Sequence, residues 1–259
     1  MRPGDDAMRS TIPSFLGNLL ARGRSRGRVV MVVGMHRSGT SVLAGSLQQA
    51  GLDLGRCSTW NRHNRRGNRE NQEIVAFHEG LLARHGCVWH RPPTTVVPWT
   101  SADRREAARI IDSFRGSACW GFKDPRATFF HEGWTEAVPH LEFVGIFRHP
   151  SAVAASLDAR ERMPAADAIR TWTAYNRRLL ALHRERPFPL LCFDDDEAAL
   201  HRQIDHAAMA LGLRPLGSDR FYTRELKHHA AADRPLPPEA TELYEALRAR
   251  QRQAGEVAA

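Results

Sequence analysis

Eight residues near the start of the chain, GMHRSGTS from Gly34 to Ser41, set two glycines, a histidine, an arginine and three hydroxyl residues directly after an apolar run. A loop of this kind that opens a helix aims several backbone N–H groups at one point, and the helix dipole adds positive potential there. Gly34 and Gly39 allow the tight turn and the close approach of a ligand. Arg37 adds a permanently charged fork of donors, and Ser38, Thr40 and Ser41 add hydroxyls. The chemistry is that of holding an anion such as a phosphate; a strand–helix turn without a ligand is the plainer alternative. A second cluster, RHPSAVAAS from Arg148 to Ser156, places an arginine after another apolar run, a proline at a good first helical position and a serine about two turns into the helix. Arginine forks and hydroxyls bind phosphate well.

The first loop has the spacing of the nucleoside-triphosphatase pattern GxxxxGK[ST], but Thr40 stands where the lysine belongs. That lysine reaches the β- and γ-phosphates of ATP. Its absence weakens an ATP-based reading and leaves anion binding intact. The competing stretch is LLCFDDD (190–196), an apolar run ending in aspartates. It fits a Mg-dependent kinase that acts on a small-molecule or sugar hydroxyl and uses Asp194 or Asp195. Because the stretch follows the Arg148 strand, it is read instead as a later strand and a helix-initiating acidic turn. Binding of a nucleotide or an anionic surface without turnover is the non-enzymatic alternative.

The elements that must position these residues alternate. RVVMVV (28–33), CWGFK (119–123), LEFVGIF (141–147) and FPLLCF (188–193) read as strands, the first a near-continuous β-branched run of the kind found in parallel strands buried on both faces. Helices are expected over 40–50, with Val42, Leu43, Leu47 and Ala50 on one side and Gly51 as its cap, over 70–85, and over the RREAARIIDSF stretch. Three more follow over 151–160, 165–185 and 197–213. Strands alternating with helices imply an α/β fold of P-loop type, three layers with a central parallel sheet flanked by helices. Ligands in such sheets bind beyond the carboxyl ends of the strands. The clusters at 34–41, 123–126 and 148–156 all lie at such ends.

The chain of 259 residues, 42% hydrophobic and 25% charged, suits one globular domain. The expected division is a basic flexible arm over 1–27, the main domain over 28–233, and a Pro-rich linker with a C-terminal helix over 234–259. The net charge of +8 favours anionic partners. No zinc-finger or RNA-binding signature accompanies it, so nucleic acid is not the expected partner. No apolar run approaches the roughly 20 residues of a membrane span, which leaves peripheral contact as the only membrane role. Cys57, Cys87, Cys119 and Cys192 form no CxxC pair and read as reduced thiols of a cytoplasmic protein. KHH (227–229) and HRQIDH lack a spacing that demands a metal, and none is expected.

HRSGTS after an apolar strand resembles the 5′-phosphosulfate loop of sulfotransferases, enzymes that use 3′-phosphoadenosine-5′-phosphosulfate (PAPS). The resemblance implies that Arg37, Ser38, Gly39, Thr40 and Ser41, with Gly34 and His36, hold the 5′-phosphate and the departing sulfuryl group. The missing lysine is then expected, since there is no β,γ-phosphate chain. The family's second motif, an arginine at a strand end and a serine eight residues on, binds the 3′-phosphate and falls on Arg148 and Ser156. Ala152 departs from the acidic residue many relatives carry there. GNRENQEIVAFHEGLL (67–82) and WGFKDPR (120–126), and more loosely FYTRELKHH (221–229), resemble bacterial carbohydrate-type sulfotransferases. The implied acceptor is a hydroxyl of a sugar or glycoconjugate.

Sulfuryl transfer needs a base, charge stabilisation and in-line geometry. Arg37 and the loop would stabilise charge. Lys123 would serve the bridging or sulfuryl oxygens, or else pair with Asp124. Glu70 is the expected base, or else an acidic residue complementing the dipole of a first helical turn; Glu73 and Asp124 are alternatives. The position two after Lys123, where some relatives carry a histidine base, is Pro125. Arginines between Arg56 and Arg69 hint at an anionic acceptor, or form a solvated loop.

Overall fold

The computed structural model describes residues 27–60, 66–223 and 235–256. The arm expected up to residue 27, the middle of the basic loop at 61–65, and residues 224–229 of FYTRELKHH lie almost wholly outside them.

Four strands form one parallel sheet: β1 (Arg28–Val33), β2 (Cys119–Lys123), β3 (Leu141–Phe147) and β4 (Leu190–Cys192), in the order β2-β1-β3-β4. The β-branched run makes β1 a central strand with both faces covered. Val29, Met31 and Val33 face one core cluster, and Val30 and Val32 face the other. The first cluster is built on α2 (Gln72–Arg84), α3 (Ser101–Ser113), α4 (His131–Ala137), α5 (Pro150–Glu161), α6 (Ala165–Glu185) and α8 (Pro238–Glu256), which contribute Phe77, Ile110, Trp134, Leu157, Trp172 and Leu243. The second is built on α1 (Thr40–Gln49) and α7 (Glu197–Ala210), through Leu43, Leu47, Leu200 and Ile204. The result is the three-layer α/β arrangement expected from the alternation. Each such buried aliphatic side chain contributes about 1.5–3 kcal/mol.

Sequence signals place most boundaries. Gly51 follows α1 with φ 108°, the left-handed conformation expected of its cap. β4 is shorter than the FPLLCF run. Pro189 has no N–H to give, and β4 pairs on one side only, with β3. Phe188 and Phe193 flank β4 and stay buried, and the Phe193 N–H still donates to the Phe147 carbonyl of β3 at 2.9 Å. Two elements carry no strong periodicity and emerge only here: a 3-10 turn (Pro125–Phe129), capped by the Asp124 side chain, and the short α4.

Chain order sets the site. From β1 the chain crosses to β2 on one side, and from β2 it crosses back to β3 on the other. The carboxyl ends of β1 and β3 therefore form the switch point, where open α/β sheets bind ligands.

Candidate anion-binding and transfer site

The loop after β1 lies at this switch point. Gly34 has φ 142°, and a Cβ there would stand 2.2 Å from the Ile146 carbonyl oxygen of β3. Gly39, with φ 89°, is the N-cap of α1 and supplies no side-chain cap, so the first N–H groups of the helix remain directed at the loop. A Cβ at Gly39 would meet the Phe193 ring at 2.4 Å. Both glycines are thus fixed by close approach as well as by dihedral angle. Arg37 also has positive φ, 65°. Ser38 is fully buried, and neither its Oγ nor Nε2 of His36 has a hydrogen-bond partner among the described residues. Buried polar atoms are normally paired, so these two are candidate contacts for a ligand. The Ser41 hydroxyl donates to the Asn68 carbonyl at 3.0 Å, leaving chiefly its N–H for a ligand.

The second cluster meets the first directly. Arg148 leaves β3, Pro150 is the first residue of α5, and His149 caps that helix by accepting from the Ser151 N–H. Ser156, two turns in, is buried and accepts from Nε of Arg37 at 2.8 Å. Arg148 Nη1 donates to the Arg37 carbonyl at 3.2 Å. Ala152, where the acidic residue would stand, is fully buried in α5. Burial, with Arg160 and Arg148 nearby, pulls the Arg37 guanidinium down to about 10, and burial lowers Arg148 as well. A half-buried and a buried guanidinium held side by side, with Asp194 as a partial counter-charge, make a site that favours an anion.

Lys123 ends β2, level with Val32 of β1. It is buried, and its Nζ bonds Oε1 of Glu70 at 2.6 Å. Its partner is therefore Glu70, not the neighbouring Asp124. Glu70 lies outside the first turn of α2: Asn71 is the N-cap, and Glu73 occupies the dipole-complementing position. The segment before it is fastened to α1 through Asn68 and through Arg69, which donates to Gln48 at 3.0 Å. That fastening carries the Glu70 carboxylate to the loop side of the sheet.

Asp124 is buried in a network of its own. It receives His78 Nδ1 at 2.8 Å and Arg126 Nη1 at 2.6 Å, and Nε2 of His78 accepts from the Trp134 indole at 2.8 Å. Because an indole N–H only donates, His78 carries its proton on Nδ1 and donates to Asp124. Burial alone would raise the Asp124 carboxyl; the His78 hydrogen bond and Arg126 hold it well below the usual carboxylate range. It underpins the Lys123 end of β2 and is too enclosed to meet an acceptor. One sequence signal pointed to His78: it lies one turn after Ile74, on the apolar face of α2.

The three aspartates after β4 are engaged separately. Asp194 stands 3.8 Å from Arg148 Nε and accepts from the His149 N–H and, at 3.4 Å, from the Tyr244 hydroxyl. Asp195 receives Arg248 and Gln203, and Asp196 caps α7. Among the described residues no group of three or more His, Cys, Asp or Glu is placed to hold a metal ion.

His36 packs against the turn at 88–91. Its ring lies 4.7 Å from that of Trp89, and burial with nearby Arg126 pulls its pKa down to about 3, so it is neutral near pH 7. Beyond Trp89 opens a cleft of about 560 Å³ between the turn at 88–91 and the junction of α5 and α6.

No protein-family model matches the chain, and comparison with curated proteins finds no match. Among solved structures, it is similar to the sulfotransferase domain from the Synechococcus PCC 7002 olefin synthase, at 17% identity and a TM-score of 0.48, over 87% of this chain and 96% of that one. It is also similar to sulfotransferase STF1 from Mycobacterium tuberculosis H37Rv, at 14% identity and a TM-score of 0.44, over 91% of this chain and 80% of that one. Among the described residues no helix is long and apolar enough to cross a membrane.

Proposed function

We propose that the chain is a sulfotransferase that moves a sulfuryl group from PAPS to a hydroxyl of a carbohydrate or glycoconjugate acceptor. One observation carries this reading: the glycine loop and the Arg148–Ser156 cluster are one site, joined by the bond from Arg37 to Ser156. A nucleotide bearing phosphate at both 5′ and 3′ positions is the kind of ligand that two adjoining basic sites accommodate. The loop N–H groups and Ser38 would take the 5′-phosphosulfate, and Arg148 with Ser156 the 3′-phosphate.

In the transfer, the acceptor oxygen forms a bond to sulfur as the bond from sulfur to the 5′-phosphate oxygen breaks. Adenosine 3′,5′-bisphosphate leaves, and the acceptor proton goes to Glu70. Lys123 holds Oε1 of that carboxylate, which leaves Oε2 to receive the proton. Protonation would weaken the pair and free Lys123 to face the charge developing on the leaving oxygen. The kinase alternative loses its footing because Asp194 serves Arg148, Asp195 serves Arg248 and Asp196 caps a helix.

The test is a calorimetric titration with adenosine 3′,5′-bisphosphate and, separately, with ADP and magnesium. Tight binding of the bisphosphate without metal is expected. A preference for ADP with magnesium would overturn the reading in favour of a kinase.

A further inference from the structure

The cleft beside His36 has an apolar wall and unbalanced charge. Trp89, Met163 and Pro164 form the wall. Trp89 is fixed on two sides: its ring packs on His36, and its carbonyl oxygen accepts from the Tyr175 hydroxyl at 3.0 Å. The next carbonyl, that of His90, accepts from Thr171 at 3.0 Å, so the turn is strapped to α6 before any ligand arrives. Of the charged residues around the wall, Asp167 is paired with Arg170, and Glu161 lies 3.9 Å from Arg160. Arg91 and Arg162 have no ion-pair partner among the described residues. Arg162 follows the C-terminal end of α5, the helix that carries Ser156 at its middle, and takes a left-handed conformation with φ 55°. A flat aromatic wall suits the C–H face of a sugar ring. Guanidiniums without counter-charge suit a carboxylate.

We infer that the acceptor is an acidic sugar: its ring lies on Trp89, and its carboxylate is read by Arg91 and Arg162. This rests on the transferase reading and makes it more specific. The arginines between Arg56 and Arg69, expected to play such a part, include two with other duties. Arg66 and Arg69 both stack over Phe221, at 5.3 and 4.9 Å, and Arg69 also bonds Gln48.

The test uses protein saturated with adenosine 3′,5′-bisphosphate and titrated with methyl β-D-glucuronide or methyl β-D-glucoside, which differ only in the carboxylate. The glucuronide should bind about tenfold tighter, as one charge-assisted contact implies. The pair Arg91→Ala with Arg162→Asn should remove that preference; asparagine is chosen because it tolerates a left-handed position where alanine would add strain. Trp89→Leu should weaken both glycosides. Unchanged bisphosphate affinity in each variant shows that the fold and the donor site are intact. Equal affinity for the two glycosides, binding of neither, or a preference that survives the double change would overturn this inference while leaving the transferase reading standing. Failure to bind the bisphosphate at all would overturn the transferase reading itself.

Discussion

Arg37 Nε and Ser156 Oγ lie 2.8 Å apart although 119 residues of chain separate them. The contact exists because β1 and β3 are neighbours, so the helices that follow them start side by side. Its consequence is that the proposed 3′-phosphate site and the 5′ loop share a wall. A change on one side should therefore be felt by the whole nucleotide.

Arg148→Ala should weaken bisphosphate binding by about a hundredfold, the loss of a hydrogen-bonded charge worth about 2–3 kcal/mol. Ser156→Ala should cost about tenfold, because it removes one hydroxyl and loosens Arg37 without removing a charge. Calorimetry at fixed salt reads both. If both variants bind like the parent, the two clusters do not act on one ligand.

Glu70→Gln keeps the shape of the carboxylate and its acceptor for Lys123 but cannot take a proton. Turnover with any productive acceptor should fall about 10²- to 10⁴-fold, the usual worth of a positioned base, with bisphosphate affinity within about twofold. Glu70→Ala should also lower the melting temperature, because it strands the buried Lys123. A kcat within a few-fold of the parent for Glu70→Gln would reduce the Glu70–Lys123 pair to a structural role.

The two clusters at 34–41 and 148–156 are legible in the sequence because their signals are local. Glycines after a β-branched run, and a proline opening a helix behind an arginine, each declare a strand–loop–helix junction. What is not legible is who meets whom across the sheet. Lys123 pairs with Glu70, 53 residues away, rather than with adjacent Asp124, and Asp124 pairs with His78, 46 residues away. Those partnerships follow from the β2-β1-β3-β4 order and from how α2 docks, and a single sequence specifies neither. Glu70 could be placed near the loop but not out of the helix, because the capping asparagine follows it directly.

His36 links the stability of the fold to pH. Its folded pKa, drawn down to about 3 by burial, lies below the ordinary histidine value of about 6.5. Between these values the unfolded chain binds a proton that the folded chain does not, so stability falls as pH drops through that window. His36→Gln should reduce the slope of unfolding free energy against pH by up to one proton between about pH 6 and 4, measured by denaturant unfolding across that range. An unchanged slope would show that the ring charges in place.

Asp194 stands 3.8 Å from Arg148 and partly neutralises it. Two readings of this aspartate predict opposite signs. As a counter-charge to a phosphate-binding arginine, it competes with the ligand for Arg148, so Asp194→Asn should tighten bisphosphate binding several-fold, most clearly at low salt. It should also lower the melting temperature, because Arg148 is buried and loses its nearest carboxylate. As a magnesium ligand of a kinase, Asp194 would be needed for metal–nucleotide binding, and the same change would abolish ADP–magnesium affinity. Titrating the variant with both nucleotides separates the two: a tighter bisphosphate at reduced stability supports the counter-charge role, and a weaker one ends it.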